Sequence, residues 1–185
     1  MLHGSPGRTF VVAGLALAIC LVAGRPGLPG TEAGETGAPR SAADLYRPED
    51  AARVFAGAAR AVVKLPSGRS IVAEIADTPE REMYGYMFRR EVKETEGMVF
   101  VYPEAGQHAF WMKNTLVPLD IIWMDDAKTV VYIESNTPPC KADPCPSFGP
   151  MRKTSAVLEV RAGTTAVQGL KVGDRLRITV PQSGD

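Results

Sequence analysis

The chain has 185 residues, is 45% hydrophobic, and carries 21 Lys plus Arg against 21 Asp plus Glu. That length suits one ordinary domain with appendages, and that apolar fraction excludes wholesale disorder. The charge balance lacks the overall basic footprint of a nucleic-acid binder. With His3 and His108 the only histidines, a multi-histidine metal centre is excluded.

At the amino terminus, Arg8 precedes an apolar run from Phe10 to Ala23, followed by Gly24. A run of about 14 residues is short for a membrane-spanning helix, which needs about 20. A positive start, a short apolar core and a small-residue exit predict a secretory signal over residues 1–24, cleaved after Ala23 or Gly24. The protein is therefore expected to be periplasmic or secreted. Membrane contact would come only from an uncleaved signal or from a lipid on Cys20, which Ile19 precedes where a small residue is usual. Residues 25–44 are rich in Gly, Pro, Ala, Ser, Thr and Glu. They hold too little apolar surface to offset ordering entropy, so they read as a disordered linker. Within residues 45–60, Pro48, Glu49 and Asp50 can open a short helix through Val54 and Phe55, since Pro and acids suit its first turn.

Residues 61–181 then read as a single β-rich domain. Ala61–Leu65 and Ile71–Ala76, separated by Pro66-Ser67-Gly68, predict a hairpin. Thr78-Pro79-Glu80 predicts a helix start, with Thr78 as cap. Asp77 with Glu80 is the alternative register, a capping box. Met83 and Met87, and Tyr84 and Phe88, are four apart and predict one apolar face of a helix running toward Arg89 and Arg90. Gly85 is a weak helix former, suited to close packing on a sheet. Strands are expected at Met98–Tyr102, Gln107–Lys113, Leu119–Met124, Thr129–Glu134, Ala156–Arg161 and Asp174–Val180, with a short helical turn at Thr164–Gly169. Many short strands with frequent turns predict a mainly β fold: a small β-sandwich or partly closed barrel with one or two short helices.

Three stretches carry a family likeness: ADTPEREMYGYMFR (Ala76–Arg89), EGMVFVYPEAGQHAFWMKNTLVPLDIIWMD (Glu96–Asp125) and AVLEVRAGTTAVQGLKVGDRL (Ala156–Leu176). Together they resemble the bacterial and archaeal family known as domain of unknown function 192, over roughly Lys64 to Ile178. The resemblance implies a small β-sandwich-like fold, often exported, and brings no reaction with it. One departure is Tyr84-Gly85-Tyr86-Met87, where the family usually has Arg-Gly-Leu-Met.

Cys140 and Cys145 in an exported chain predict a disulfide that rigidifies a proline-rich loop. Their spacing differs from the Cys-X-X-Cys of thioredoxin-type redox pairs. In a strand, Phe110 and Met112 share one face while Trp111 and Lys113 share the other. A tryptophan beside a cation and the amide of Asn114 suits a sugar ring or a small anion; packing of Trp111 under a loop is the alternative. Asp120 and Glu159 interrupt apolar runs, and an unpaired buried charge is costly. Either they are structural, with Asp120 capping the Asn114–Pro118 turn and Glu159 pointing outward, or they gather with Arg89, Lys113 and Asn114 in one pocket. Arg89, Trp111, Lys113, Asn114, Asp120 and Glu159 are thus the candidate ligand-binding residues.

No nucleophile elbow, phosphate loop or Cys–His pairing is visible. Met83, Met87, Met98, Met112, Met124 and Met151 with His108 could suit copper, but Met83, Met87, Met98 and Met112 fall at expected core positions. No cofactor or metal is expected. The leading expectation is a non-catalytic, extracytoplasmic small-ligand-binding or accessory domain of the cell envelope. The alternatives are a hydrolase of an envelope saccharide, with Asp120 and Glu159 as acid and base, and a structural domain that binds an envelope protein.

Overall fold

A computed structural model describes residues 46–181; the expected signal (1–24) and linker (25–44) lie outside the described residues. The hairpin forms as expected, with β1 (Arg60–Lys64) antiparallel to β2 (Ser70–Ala76). The chain then crosses over through helix α2 (Pro79–Tyr84) and returns as β3 (Glu96–Gly106), parallel to β2. A crossover is the connection a parallel pair requires. Strands β5 (Leu119–Met124), β6 (Val130–Thr137), β8 (Thr154–Arg161) and β9 (Arg177–Thr179) complete a seven-stranded sheet, ordered β6-β5-β8-β3-β2-β1-β9. Two short strands, β4 (Phe110–Trp111) and β7 (Ser147–Phe148), pair as a separate ribbon.

Apolar residues line both faces of the central strands, so β5 and β8 read as nearly continuous buried runs. Side chains alternate between faces along a strand. One face buries Val63, Ile71, Val99, Ile122 and Leu158, with Leu176 packed among them. The other buries Met98, Phe100, Ile121, Trp123 and Val157 beneath the helices and the ribbon. The segments before β6 and β9 meet at an isolated bridge, Thr129 with Arg175, and a few neighbouring hydrogen bonds, without a continuous strand ladder. The fold is therefore mainly β and sandwich-like with short helices, and the sheet does not close into a barrel.

Helix α1 (Pro48–Val54) forms where expected and adds Val54 and Phe55 to the outer core. Arg81 of α2 donates to the Val54 carbonyl at 3.0 Å and pairs with Asp77 at 2.7 Å, which ties the two helices together. Thr78 Oγ1 accepts from the Arg81 N–H at 3.2 Å, so the Thr78 cap prevails over the Asp77 register.

The expected continuation of α2 to Arg89 is corrected. Gly85 takes φ +45° and ends the helix after Tyr84. That left-handed value is costly for any residue with a Cβ. Met83 consequently stays outside at 45% exposure, while Met87 packs inside. The strand expected over Gln107–Lys113 shrinks to Phe110–Trp111, because this segment pairs with β7 alone.

Candidate functional site

The ribbon β4–β7 is held on the outer face by aromatic packing. Phe110 meets Phe100 edge-on at 4.8 Å and Trp123 at 5.7 Å between ring centroids. Met112 is buried. Trp123 is fixed in turn by its indole N–H, which donates to the His108 carbonyl at 2.7 Å. With Phe110 and Met112 inward, strand alternation turns Trp111 outward, as the sequence predicts, and it is 40% exposed. Trp111, Met83, Tyr102, Phe110 and Tyr46 line a groove of about 460 Å³, with Glu82 among its polar groups. Tyr102 is stacked on His108 at 3.4 Å and 6°, so one wall of the groove is a fixed aromatic plate. Burial lowers the His108 pKa and raises those of Tyr102 and Glu82.

A small cavity of about 20 Å³, room for one water, lies against this groove and shares Glu82, Met83, Phe110 and Trp111 with it. Its other walls include Tyr86, Phe100, Lys113 and Glu159. Glu159 is 4% exposed, and its Oε2 has no hydrogen-bond partner among the described residues. Desolvation pushes its pKa up to about 8, against the downward pull of Arg89. Arg89 itself is spent elsewhere. It contacts Glu74 at 2.5 Å, outside hydrogen-bond angles, and lies over the rings of Phe55 and Tyr86.

Lys113 pairs with Asp143, which lies between Cys140 and Cys145. Those cysteines form the expected disulfide, and Cys140 N–H donates to the Met112 carbonyl at 3.3 Å. The bridge thus ties the loop that holds Lys113 to the ribbon. A closed loop this small should stabilise by about 2 kcal/mol. Melting the protein with and without reductant should show a fall of that size; an unchanged melting temperature would contradict it.

The structure divides the expected set of six. Trp111, Lys113 and Glu159 line one cavity. Arg89 lies beside it but belongs to the Glu74 pair. Asn114 takes φ +54°; its carbonyl accepts from the Phe88 N–H at 2.9 Å, and its amide reaches Met87 Sδ at 3.9 Å. It is a turn residue that holds the segment after α2.

Asp120 is on the other face. In the β5–β8 ladder Asp120 opposes Val160 and Ile121 opposes Glu159, and consecutive residues point to opposite sides. The acid–base pair needed by the hydrolase reading therefore straddles the sheet and cannot flank one bond. Asp120 caps the start of α3 (Thr164–Val167), not the Asn114–Pro118 turn. It accepts from Asn136 N at 2.8 Å, Gly163 N at 3.1 Å, and Thr165 N and Oγ1 at 2.8 and 2.7 Å. Glu159 likewise points inward, not out. Tyr46, Glu82, Tyr86 and Tyr102 are not site candidates in the sequence, and Met83 enters there only as a copper candidate. They converge only through the crossover, and only the aromatic content near 84–86 hinted at them.

Two solved structures resemble the chain. One is a protein of unknown function from Novosphingobium aromaticivorans, 30% identical, with TM-score 0.60, covering 76% of this chain and 99% of that one. The other, from Sinorhizobium meliloti, is described as a "putative transcription regulator"; it is 31% identical, with TM-score 0.58, covering 65% of this chain and 92% of that one. A search of curated proteins found no match. Residues 61–178 match the family DUF192, described as "Uncharacterized ACR". Spanning most of the chain and nearly all of the core sheet, that match makes this protein a member of the DUF192 family.

Proposed function

We propose that this domain is a non-catalytic, extracytoplasmic binder of a small saccharide, seated on Trp111. The observation that carries the reading is the half-exposed Trp111 at the edge of an aromatic groove. Of the exposed large apolar side chains among the described residues, Trp111 is the one aromatic ring, whereas Trp123 and Phe100 are buried. An indole face presents flat apolar area at low entropy cost, which suits the C–H face of a sugar ring while polar groups at the rim orient its hydroxyls. The extracytoplasmic placement draws support from the Arg8–Ala23 pattern and from the Cys140–Cys145 disulfide, a bond that persists in oxidising compartments.

The protein holds two tryptophans, and Trp123 is fully buried while Trp111 is not. Acrylamide quenching therefore reports mainly on Trp111. Neutral monosaccharides, their methyl glycosides and peptidoglycan fragments are to be screened by quenching and by thermal shift. A ligand at 100 times its dissociation constant should add about 2.7 kcal/mol and shield Trp111 from quencher. Trp111→Ala should abolish both effects while costing about 1 kcal/mol or less of stability, as suits a half-exposed residue. Unshielded fluorescence across the library would sink the reading, and a loss of 3 kcal/mol in the variant would make Trp111 a core residue.

A further inference from the structure

The charged groups around the small cavity beside the groove are unevenly partnered. Around it, the cations are already partnered: Lys113 by Asp143 and Arg89 by Glu74. The acids are not. Among the described residues Glu82 has no ion pair, and Glu159 Oε2 has no partner at all although the residue is 96% buried, from its 4% exposure. The remaining walls are aromatic faces and methionines, among them Tyr86, Phe100, Phe110 and Met83. Aromatic faces attract cations through the ring quadrupole. Gly85 contributes no side chain; a Cβ there would touch Glu159 Oε2 at 3.6 Å and the Phe100 ring at 3.6 Å. The void has room for one water-sized group.

We propose that this cavity takes a primary ammonium group carried by the ligand, with Glu159 as its hydrogen-bond acceptor and Glu82 at the mouth. The inference rests on the groove reading above and narrows the ligand to an amine-bearing sugar. An ammonium is close to water in size and donates three hydrogen bonds. A hydroxyl of the same size can bond the protonated acid but cannot offset the charge of a carboxylate there.

Binding of the cation requires Glu159 to give up its proton to solvent. The charged and titratable groups facing it are Glu82 and Tyr84 from α2, Tyr86 and Arg89 from the segment that follows, Tyr102 from β3, and Lys113 after β4. Because burial holds Glu159 protonated up to about pH 8, affinity for an ammonium should rise about tenfold per pH unit toward that point. A ligand that accepted a hydrogen bond from the protonated acid would instead bind equally well below pH 8 and weaken above it.

The test compares 2-aminoethyl β-D-glucopyranoside with its 2-hydroxyethyl counterpart, by Trp111 quenching on the mature protein with its disulfide intact. At pH 8 the aminoethyl probe should bind roughly tenfold tighter or more, as a charge-assisted hydrogen bond allows. Its advantage should shrink at pH 6. Glu159→Gln should erase the advantage. Equal binding of the two probes by the wild-type protein, or an advantage that grows as pH falls, overturns the ammonium site and leaves the groove reading standing. Failure of both probes to shield Trp111 overturns both. The wild-type comparison and its pH slope decide the matter even if Glu159→Gln folds poorly.

Discussion

Glu159→Gln should stabilise this protein at pH 7 by about 3 kcal/mol relative to its effect at pH 4. The group has a pKa near 4.5 when exposed and is pushed up to about 8 in the folded state by desolvation. Below 4.5 both states hold the proton, and the carboxyl contributes nothing pH-dependent. Between 4.5 and 8 the unfolded chain releases the proton while the folded chain keeps it. The folded state then binds more protons than the unfolded one, so stability falls as pH rises through that window. Each unit costs about 1.4 kcal/mol, and the loss levels off above pH 8. Glutamine has nearly the same shape and no proton to lose, so the variant should lack this slope. Subtracting the two proteins' urea-denaturation stabilities from pH 4 to 8 cancels all other titrations. A difference that stays flat over that range would show that Glu159 ionises as easily folded as unfolded.

The second large effect is at Asp120. Replacing it with alanine should cost about 3–5 kcal/mol, because its buried carboxylate is the shared acceptor for three backbone N–H groups and one hydroxyl. Those donors belong to β6, to the β8–α3 turn and to α3, so one side chain anchors the chain as it leaves the sheet. Asp120→Asn keeps the shape but turns one acceptor into a donor, and should cost about 2–3 kcal/mol. A denaturation midpoint shifted by less than 1 kcal/mol for Asp120→Ala would contradict the structural assignment. Quenching of Trp111 by acrylamide should be unaltered in the folded variant, since Asp120 lies on the opposite face of the sheet. A change there would tie Asp120 to the groove after all.

The difference between these two acids marks where sequence reasoning ends. Both interrupt apolar runs, Leu119–Met124 and Ala156–Arg161, and the cost of burying a charge singles both out at once. Which face each occupies depends on the β5–β8 register. A register is a pairing between strands more than thirty residues apart, set by the packing of both faces together. No local pattern carries it, since each strand is buried on both sides and shows no alternation. The crossover helix is a similar case. Thr78 and Pro79 announce its start through local capping chemistry, but no local pattern shows that Gly85, besides packing closely on the sheet, ends the helix at a positive φ. The four-residue spacing of Met83 and Met87 therefore carried no shared face.

What the sequence by itself determined is what local chemistry decides: most of the strands and their turns, the start of helix α2, and the disulfide. The likeness in Ala76–Arg89, Glu96–Asp125 and Ala156–Leu176 also identified the family. Tertiary structure decided the rest. It sent Asp120 to the α3 turn, left Glu159 unpartnered beneath the ribbon, and assembled Tyr46, Met83, Tyr102 and Trp111 into one groove. These outcomes depend on contacts between segments distant in the chain, where the free energy lies in shared burial and not in any residue's own preference.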